Sequence, residues 1–472
     1  MGQSLELGND LRYASLQQIR TAIRKKVIGP VEVVDATLDL IDKLDPKLNC
    51  FAHLDRNDVR AQARNIQGRM GRGNELGPLA GIPIAIKDLI TVASAPTQFG
   101  SRIMRGKHID QDAPSVERIR AAGGIILGKT TTSEFGCKAV GDSPLTGITR
   151  NPWSLEKTPG GSSCGAAALV ASGISPVAIG TDGGGSVRIP ASFTGLFGIK
   201  AQFGRVPVFP TSATPTLAHV GPLSRTVGDA AAVMNVIAGG DNRDPSSVWA
   251  VPQDYERACQ TLTEPLRVAW SPTLGYAEPV GEIVEIVQSA VTALEQLGHT
   301  VDLVDQVFPE DPVDLWVAEF YAGVGTRLAD ALSSNRGEID KEVVTELDAA
   351  VSQEMRGYYE SVFQRYDFRE AARKFFNDYD LLVTPTVPVA AFDAGMPTPP
   401  THVHRTIVSW SYYTYPFNLT GHPAASVPAG FNRDRLPVGL QLVAPANRED
   451  RIFSVAAALE QLRPWAHHKP CL

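Results

Sequence analysis

Two serines in glycine turns carry the chemistry this chain could do. Between Thr158 and Pro190 the chain reads TPGGSSCGAAALVASGISPVAIGTDGGGSVRIP. The first turn, Gly160-Gly161-Ser162-Ser163, opens a small-residue run from Cys164 to Ala171 that predicts a tightly packed helix, its free N–H groups directed back at the serines. The second, Asp182-Gly183-Gly184-Gly185-Ser186, follows an apolar strand, Val177 to Ile179, and precedes Pro190, a first-turn residue of another helix. Three glycines ahead of one serine let the N–H groups of Gly183, Gly184, Gly185 and Ser186 crowd around one point, which is how an oxyanion is held. Taken singly, each turn reads as a tight loop.

A serine hydroxyl is a weak nucleophile and needs a base nearby. Lys87 supplies a candidate. It ends GIPIAIKD, where Ile82, Ile84 and Ile86 alternate with small residues before a cation arrives. A lysine at a buried strand end is costly unless it is paired or neutral. The structural alternative is a buried stem whose head pairs with Asp88 or reaches solvent.

With these three elements in view, the sequence resembles the amidase signature family, serine hydrolases with a Ser-cisSer-Lys triad. The match runs over nearly the whole chain. It is densest from Gly81 to Arg225, through GIPIAIKD, GKTTTSEFG, GITRNPW, TPGGSSCGAA, GTDGGGSVRIPASFTGLFGIKAQFGRVP and GPLSRTVGDAA, and returns in LLVTPTVP, FNLTGHPAASVPAG and LPVGLQLVAP. The separation of the serines, 186 − 162 = 24 residues, agrees with the family's pattern. The resemblance implies Ser186 as nucleophile, Ser162 as bridging serine after a cis Gly161-Ser162 bond, and an uncharged Lys87 as base. It also implies supporting roles for Ser163, Asp182 and Arg188, the last two as a pair, and a backbone contact from Gly136 near the scissile bond. Two stretches depart from the common pattern: Cys164 stands where glycine is usual, and AQFGR replaces a KPT-like continuation. Neither touches the triad. Cys164 beside the serines reads as helix packing.

The fold so implied is α/β, a single large domain over 1–472 with a central mixed β-sheet covered by helices on both faces. Its segments are N-terminal helices (1–70), a signature core (71–230), a helical pocket-shaping region with a lid at 388–404 (231–400), and a C-terminal return to the sheet (401–472). The activity implied is hydrolysis of the C–N bond of an amide, extending to aryl amides, carbamates and esters, through an acyl-enzyme on Ser186 and without metal or cofactor. The ammonia-releasing glutaminase component of a tRNA-dependent amidotransferase shares this signature. Against that reading, SEFGCKAVGDSPLTGIT lacks the SSTENSAFG-like wording of those proteins.

Composition points the same way. Lys+Arg 44 against Asp+Glu 51 gives a formal net charge of -7, which predicts a small neutral partner and no nucleic-acid surface. A homodimer is compatible with the sequence. Five widely spaced cysteines without a CxxC pair predict free thiols in a reducing compartment. The start MGQSLELGNDLRYASL lacks a basic leader, and no run reaches the ~18 apolar residues of a membrane span. A soluble, cytoplasmic protein is the expectation. Glu6 breaks a myristoylation pattern. The nine histidines show no HExxH spacing, and Gly184-Gly185-Ser186-Val187-Arg188 is no GxSxG elbow, so His219 and His422 read as structural.

The elements that must position these residues are partly legible. Helices are predicted through Leu16, Ile19 and Ile23, through Val34, Leu38 and Ile41 with a stop before Pro46, and over 58–69. The sheet is expected to start at Pro83–Ile86. Residues 116–122 read as helix and 125–127 as strand, with Lys129 and Thr130 beginning the next loop. Gly123, Gly128, Lys129 and Thr130 satisfy the P-loop formula, which makes a nucleotide-binding protein a third reading, but the strand lies between the glycines instead of before them, which counts against it. Further on come helix 227–238, a surface loop at GGDNRDPSS, strand 266–270, helix 284–297 and strand 301–304, an α/β alternation. Residues 311–379 read as helical, their aromatics as core. Strand 440–443 and helix 451–462 close the chain.

Overall fold

Ile84 and Ile86 point to one face of their strand and Ala85 to the other, and all three are fully buried. That is the signature of a strand with both faces covered. The computed structural model describes residues 11–250, 253–261, 264–402 and 405–472. Its strands are β1 (Phe51–His53), β2 (Pro83–Lys87), β3 (Ile125–Thr130), β4 (Asp142–Ser143), β5 (Gly147–Ile148), β6 (Val177–Asp182), β7 (Phe197–Lys200), β8 (His219–Ser224), β9 (Arg267–Trp270), β10 (Thr300–Leu303), β11 (Leu381–Pro385), β12 (Ala424–Phe431) and β13 (Pro437–Val443). β4 and β5 form a separate ribbon. The others make one 11-stranded sheet in the order β1-β3-β2-β6-β8-β7-β12-β13-β11-β9-β10.

The sheet is mixed. β2 runs parallel to β3 and β6, and β9 parallel to β10 and β11. The pairs through the middle, β6 with β8 and β7 with β12 among them, are antiparallel. Over one face lie Leu16–Arg24, Val227–Ile237, Gly281–Gln296 and Glu449–Leu462, which bury Ile19, Val233, Val287 and Phe453 against Ile84, Ile179 and Leu440. Over the other face, Pro30–Leu48 and Cys164–Ala171 cover the β2–β3–β6 half, with Leu38 and Leu169 against Ala85 and Ala178. Val313–Arg327 and its neighbours cover the remainder, Phe320 and Val324 sharing a core with Leu382 and Val443. Each large aliphatic side chain so buried contributes about 1.5–3 kcal/mol. The single sheet ties all four sequence segments together, as expected of one α/β domain.

Several local expectations need correction. The second helix runs through Pro46 to Leu48, because the proline deletes only one backbone bond, to the exposed Asp42, while the buried Leu48 holds the last turn and Asn49 N–H donates to Asp45 O. The sheet starts before Pro83: β1 pairs antiparallel with β3 along one edge, Phe51 opposite Thr130. Lys129 and Thr130 end β3 instead of opening a loop, since both stay buried and in register with β2. Of the aromatic helices, Trp316, Phe320, Tyr321 and Phe368 are core, whereas Tyr359, Phe363 and Tyr366 face solvent, because Met355–Phe375 buries only Arg365, Phe368 and Ala372. The described part of the expected lid at 388–404, residues 388–402, has no helix or strand, but Val389, Ala391 and Phe392 are buried with Phe193 and Trp410, which anchors that half of the lid. Its residues 403–404, His404 included, and the N-terminal MGQSLE lie outside the described residues.

Candidate active site

The parallel strands β2, β3 and β6 deliver polar residues at their carboxyl ends, the position where open α/β sheets bind ligands. Lys87 is the last residue of β2 and is fully buried. Its Nζ donates to Ser162 Oγ at 2.7 Å and to Thr181 Oγ1, on β6, at 2.8 Å. Asp88 is not its partner, for that carboxylate pairs with Lys129 Nζ at 3.0 Å. Burial pushes the Lys87 amine down to about 7, against the opposing pull of the Asp182 carboxylate. Burial also raises the Cys164 thiol, which keeps that neighbour uncharged.

Ser162 follows a cis Gly161-Ser162 peptide bond, as the resemblance implies, and is buried. Ser163 stitches the two turns together: its N–H donates to Ser186 O at 3.2 Å and its Oγ to Thr181 O at 3.2 Å. The helix Cys164–Ala171 then starts, every residue of it buried. Ser186 is partly exposed at the end of the glycine loop. Among the described residues its hydroxyl has no protein partner. The structure thus joins Lys87 to Ser162 and brings Ser186 into the same turn pair, while the Ser162 and Ser186 hydroxyls are not hydrogen-bonded to each other. Catalytic contacts of that kind commonly close only around substrate.

Asp182 and Arg188 do form a pair, deep and two-pronged: Arg188 Nη2 meets Asp182 Oδ1 at 2.8 Å and Nε meets Oδ2 at 3.0 Å. The other guanidinium donors reach Thr414 O and Gln441 Oε1, each at 2.8 Å, and Asn418 Oδ1 at 2.7 Å. Despite complete burial, the guanidinium, with Asn418 beside it, holds the Asp182 carboxyl well below the usual carboxylate range. Asp182 Oδ1 also accepts the Gly185 N–H at 2.8 Å. That removes Gly185 from the four expected oxyanion donors. The N–H groups of Gly183, Gly184 and Ser186 have no protein acceptor among the described residues.

A narrow cavity opens onto Ser186, walled by Gly184, Gly136, Ile189, Trp316, Phe320 and Val408. Its free volume is about 20 Å³, on the order of one water molecule. Gly136 has φ 74°, and a Cβ there would come within 2.9 Å of Leu89 Cδ1 and 3.3 Å of Ser162 Oγ, which is the close approach that calls for glycine. Lys138 on the cavity rim is tied to Asp142 at 2.5 Å and Asp340 at 2.6 Å.

Sequence reading missed Thr181, Trp316, Thr414, Asn418 and Gln441. Thr181 stands directly before Asp182, and Asn418 lies within FNLTG, so both sat inside recognised motifs. Trp316 lay among helical aromatics that read as core, and nothing in its spacing marked it. His219 is buried with Nδ1 2.7 Å from Leu217 O, and burial lowers its basicity well below normal; burial likewise brings His422 down to about 3, so both stay neutral. Lys129 Nζ is held by Asp88 and, at 2.8 Å, by Thr97 Oγ1, leaving no phosphate cradle at the P-loop formula. Among the described residues no His, Cys, Asp and Glu cluster could hold a metal ion, and no helix is long and apolar enough to cross a membrane.

The family model described as Amidase matches residues 32–453. An acylamidase of Rhodococcus erythropolis is 34% identical, with 98% of each chain covered. A glutamyl-tRNA(Gln) amidotransferase component from Symbiobacterium thermophilum is 35% identical over 94% of this chain and 96% of that protein. Among solved structures, a bacterial aryl acylamidase of the amidase signature enzymes superposes with a TM-score of 0.91 at 29% identity, covering 97% of each chain.

Proposed function

The chain belongs to the amidase family and is an amidase, and from that premise we propose that it cleaves acylated amines, aryl amides foremost, through an acyl-enzyme on Ser186. The observation that carries the mechanism is the 2.7 Å contact between Ser162 and a fully buried Lys87 that forms no ion pair among the described residues. As a neutral amine, Lys87 accepts the proton of Ser162, and Ser162 accepts that of Ser186. Ser186 Oγ then bonds to the substrate carbonyl carbon, and the N–H groups of Gly183, Gly184 and Ser186 receive the oxyanion. Collapse breaks the C–N bond, with the relay returning its proton to the leaving amine. Water then adds to the ester by the same path and frees the acid.

The apolar wall of Ile189, Trp316, Phe320 and Val408 supports a substrate with an uncharged, apolar group beside the carbonyl. Carbamates and esters present the same carbonyl chemistry. Five free cysteines support a reducing, cytoplasmic setting, and the acidic net charge of -7 supports a small-molecule partner over a nucleic acid. The identity to a glutamyl-tRNA(Gln) amidotransferase component supports a second reading, release of ammonia from glutamine for a partner enzyme. A panel of anilides, aliphatic amides, carbamates, p-nitrophenyl esters and glutamine, assayed on the isolated chain, separates the two. Turnover of anilides or aliphatic amides without a partner supports the first, and strict use of glutamine supports the second.

A further inference from the structure

Four consecutive carbonyls of the glycine loop are each held by a donor. Asp182 O accepts from Asn418 Nδ2 at 3.0 Å, Gly183 O from Trp316 Nε1 at 2.8 Å, Gly184 O from Thr414 Oγ1 at 2.6 Å, and Gly185 O from the Ile189 N–H at 2.7 Å. In a trans peptide the carbonyl of one residue and the N–H of the next point in opposite directions. Holding each carbonyl therefore aims the following N–H: those of Gly183, Gly184 and Ser186 are left open to an oxyanion, and that of Gly185 is turned to Asp182. A Gly-Gly peptide has no Cβ to prefer one orientation, so it can flip. A flip at Gly183-Gly184 would put a carbonyl oxygen where a donor to an oxyanion is needed.

We propose that Trp316 and Thr414 are positioning residues for the oxyanion site: the indole N–H fixes the Gly183-Gly184 peptide and so aims the Gly184 N–H, and the threonine hydroxyl fixes the Gly184-Gly185 peptide with its N–H turned to Asp182, which sets the bend between the Gly184 and Ser186 donors. This rests on the reading of Ser186 as nucleophile. Trp316 is suited to the role: it is 3% exposed and stacks on Phe320 with ring centroids 4.4 Å apart. Its edge lies so close that a Cβ on Gly184 would sit 2.7 Å from Cζ2. Thr414 Oγ1 also lies 2.9 Å from Ser411 O, and its shorter contact is the one to the loop. Thr414 comes from a segment that Arg188 grips through the Thr414 carbonyl, so the clamp and the Asp182–Arg188 pair are one rigid assembly. Pre-aimed dipoles of this kind need no reorganisation as charge develops.

The test uses Trp316→Phe, which keeps a ring and deletes the donor, with Thr414→Val and Thr414→Ser, which delete and keep the hydroxyl. Turnover is measured on an acetanilide and on an anilide with a longer acyl chain, and affinity is measured for phenylboronic acid, which forms a tetrahedral adduct on a nucleophilic serine. Trp316→Phe and Thr414→Val are expected to lower kcat about 10- to 100-fold, less than outright deletion of a donor, with KM nearly unchanged. The loss is expected to be the same for both acyl lengths, and boronate affinity to fall in step. Thr414→Ser is expected to stay within about threefold of the parent, a change below 1 kcal/mol. A loss confined to KM and varying with acyl length would mean that Trp316 is only a pocket wall, and would overturn the clamp. If Trp316→Phe fails to fold, the Val and Ser variants at position 414 decide: equal activity of the two overturns it. Ser186→Ala is run alongside. Full activity there sinks the nucleophile reading itself, whereas an inactive Ser186→Ala beside a fully active Trp316→Phe sinks the clamp alone.

Discussion

Lys87 Nζ sits 2.7 Å from Ser162 Oγ, and the carboxylate next to it in sequence, Asp88, is engaged elsewhere, by Lys129 at 3.0 Å. A buried lysine left without a counter-ion is a base at neutral pH. With its amine brought down from 10.5 to about 7, the neutral form is abundant at pH 7, where an ordinary lysine would be almost wholly charged.

The activity should therefore rise with pH. The protonated amine cannot accept the serine proton, so kcat/KM for an uncharged anilide should climb through about 7 and level off above it. A profile measured from acid to alkaline pH checks this, and a flat one would contradict it. Lys87→Ala should lose turnover by about a thousandfold or more while keeping its fold, as removal of an activating base does.

Arg188 should matter for stability as much as for activity. Arg188→Met leaves Asp182 charged and buried without its partner, which costs about 3–5 kcal/mol. Chemical denaturation of the variant should show that loss. Unchanged stability would mean that the pair contributes nothing to holding the glycine loop.

Lys129 should behave as the counter-ion of Asp88 and nothing more. Both side chains are fully buried. Lys129→Met is expected to lower stability by about 3–5 kcal/mol. Addition of ATP to the parent protein should leave its melting temperature unmoved.

Cys164 should be dispensable to the chemistry. Its thiol is buried, raised in pKa by that burial, and 3.6 Å from Thr131 Oγ1. Cys164→Ala should keep kcat within a few-fold, losing about 1 kcal/mol of packing. Loss of all activity in a folded variant would reopen the question of a cysteine nucleophile.

Much of this was legible in the chain. The strand ending in Lys87, the helix Cys164–Ala171 and the glycine loop after β6 announce themselves because small and apolar residues there leave the backbone few other uses. What stayed hidden was short or long-range. β1 is three half-buried residues at a sheet edge, too brief for any period to register. The run through Pro46 depended on Leu48 having a core to reach. Thr181 as the second partner of Lys87 required the parallel register of β2 and β6, in which Ile86 lies opposite Ile179. Trp316 meets Gly183 across 133 residues, and no local pattern distinguishes its indole N–H from that of any core tryptophan.

The most direct measurement is to treat the protein with a fluorophosphonate and map the modified peptide by mass spectrometry. A single adduct on Ser186, absent in Ser186→Ala and suppressed in Lys87→Ala, is the predicted result. An adduct on any other residue, or one on Ser186 that forms at the same rate without Lys87, would contradict the relay.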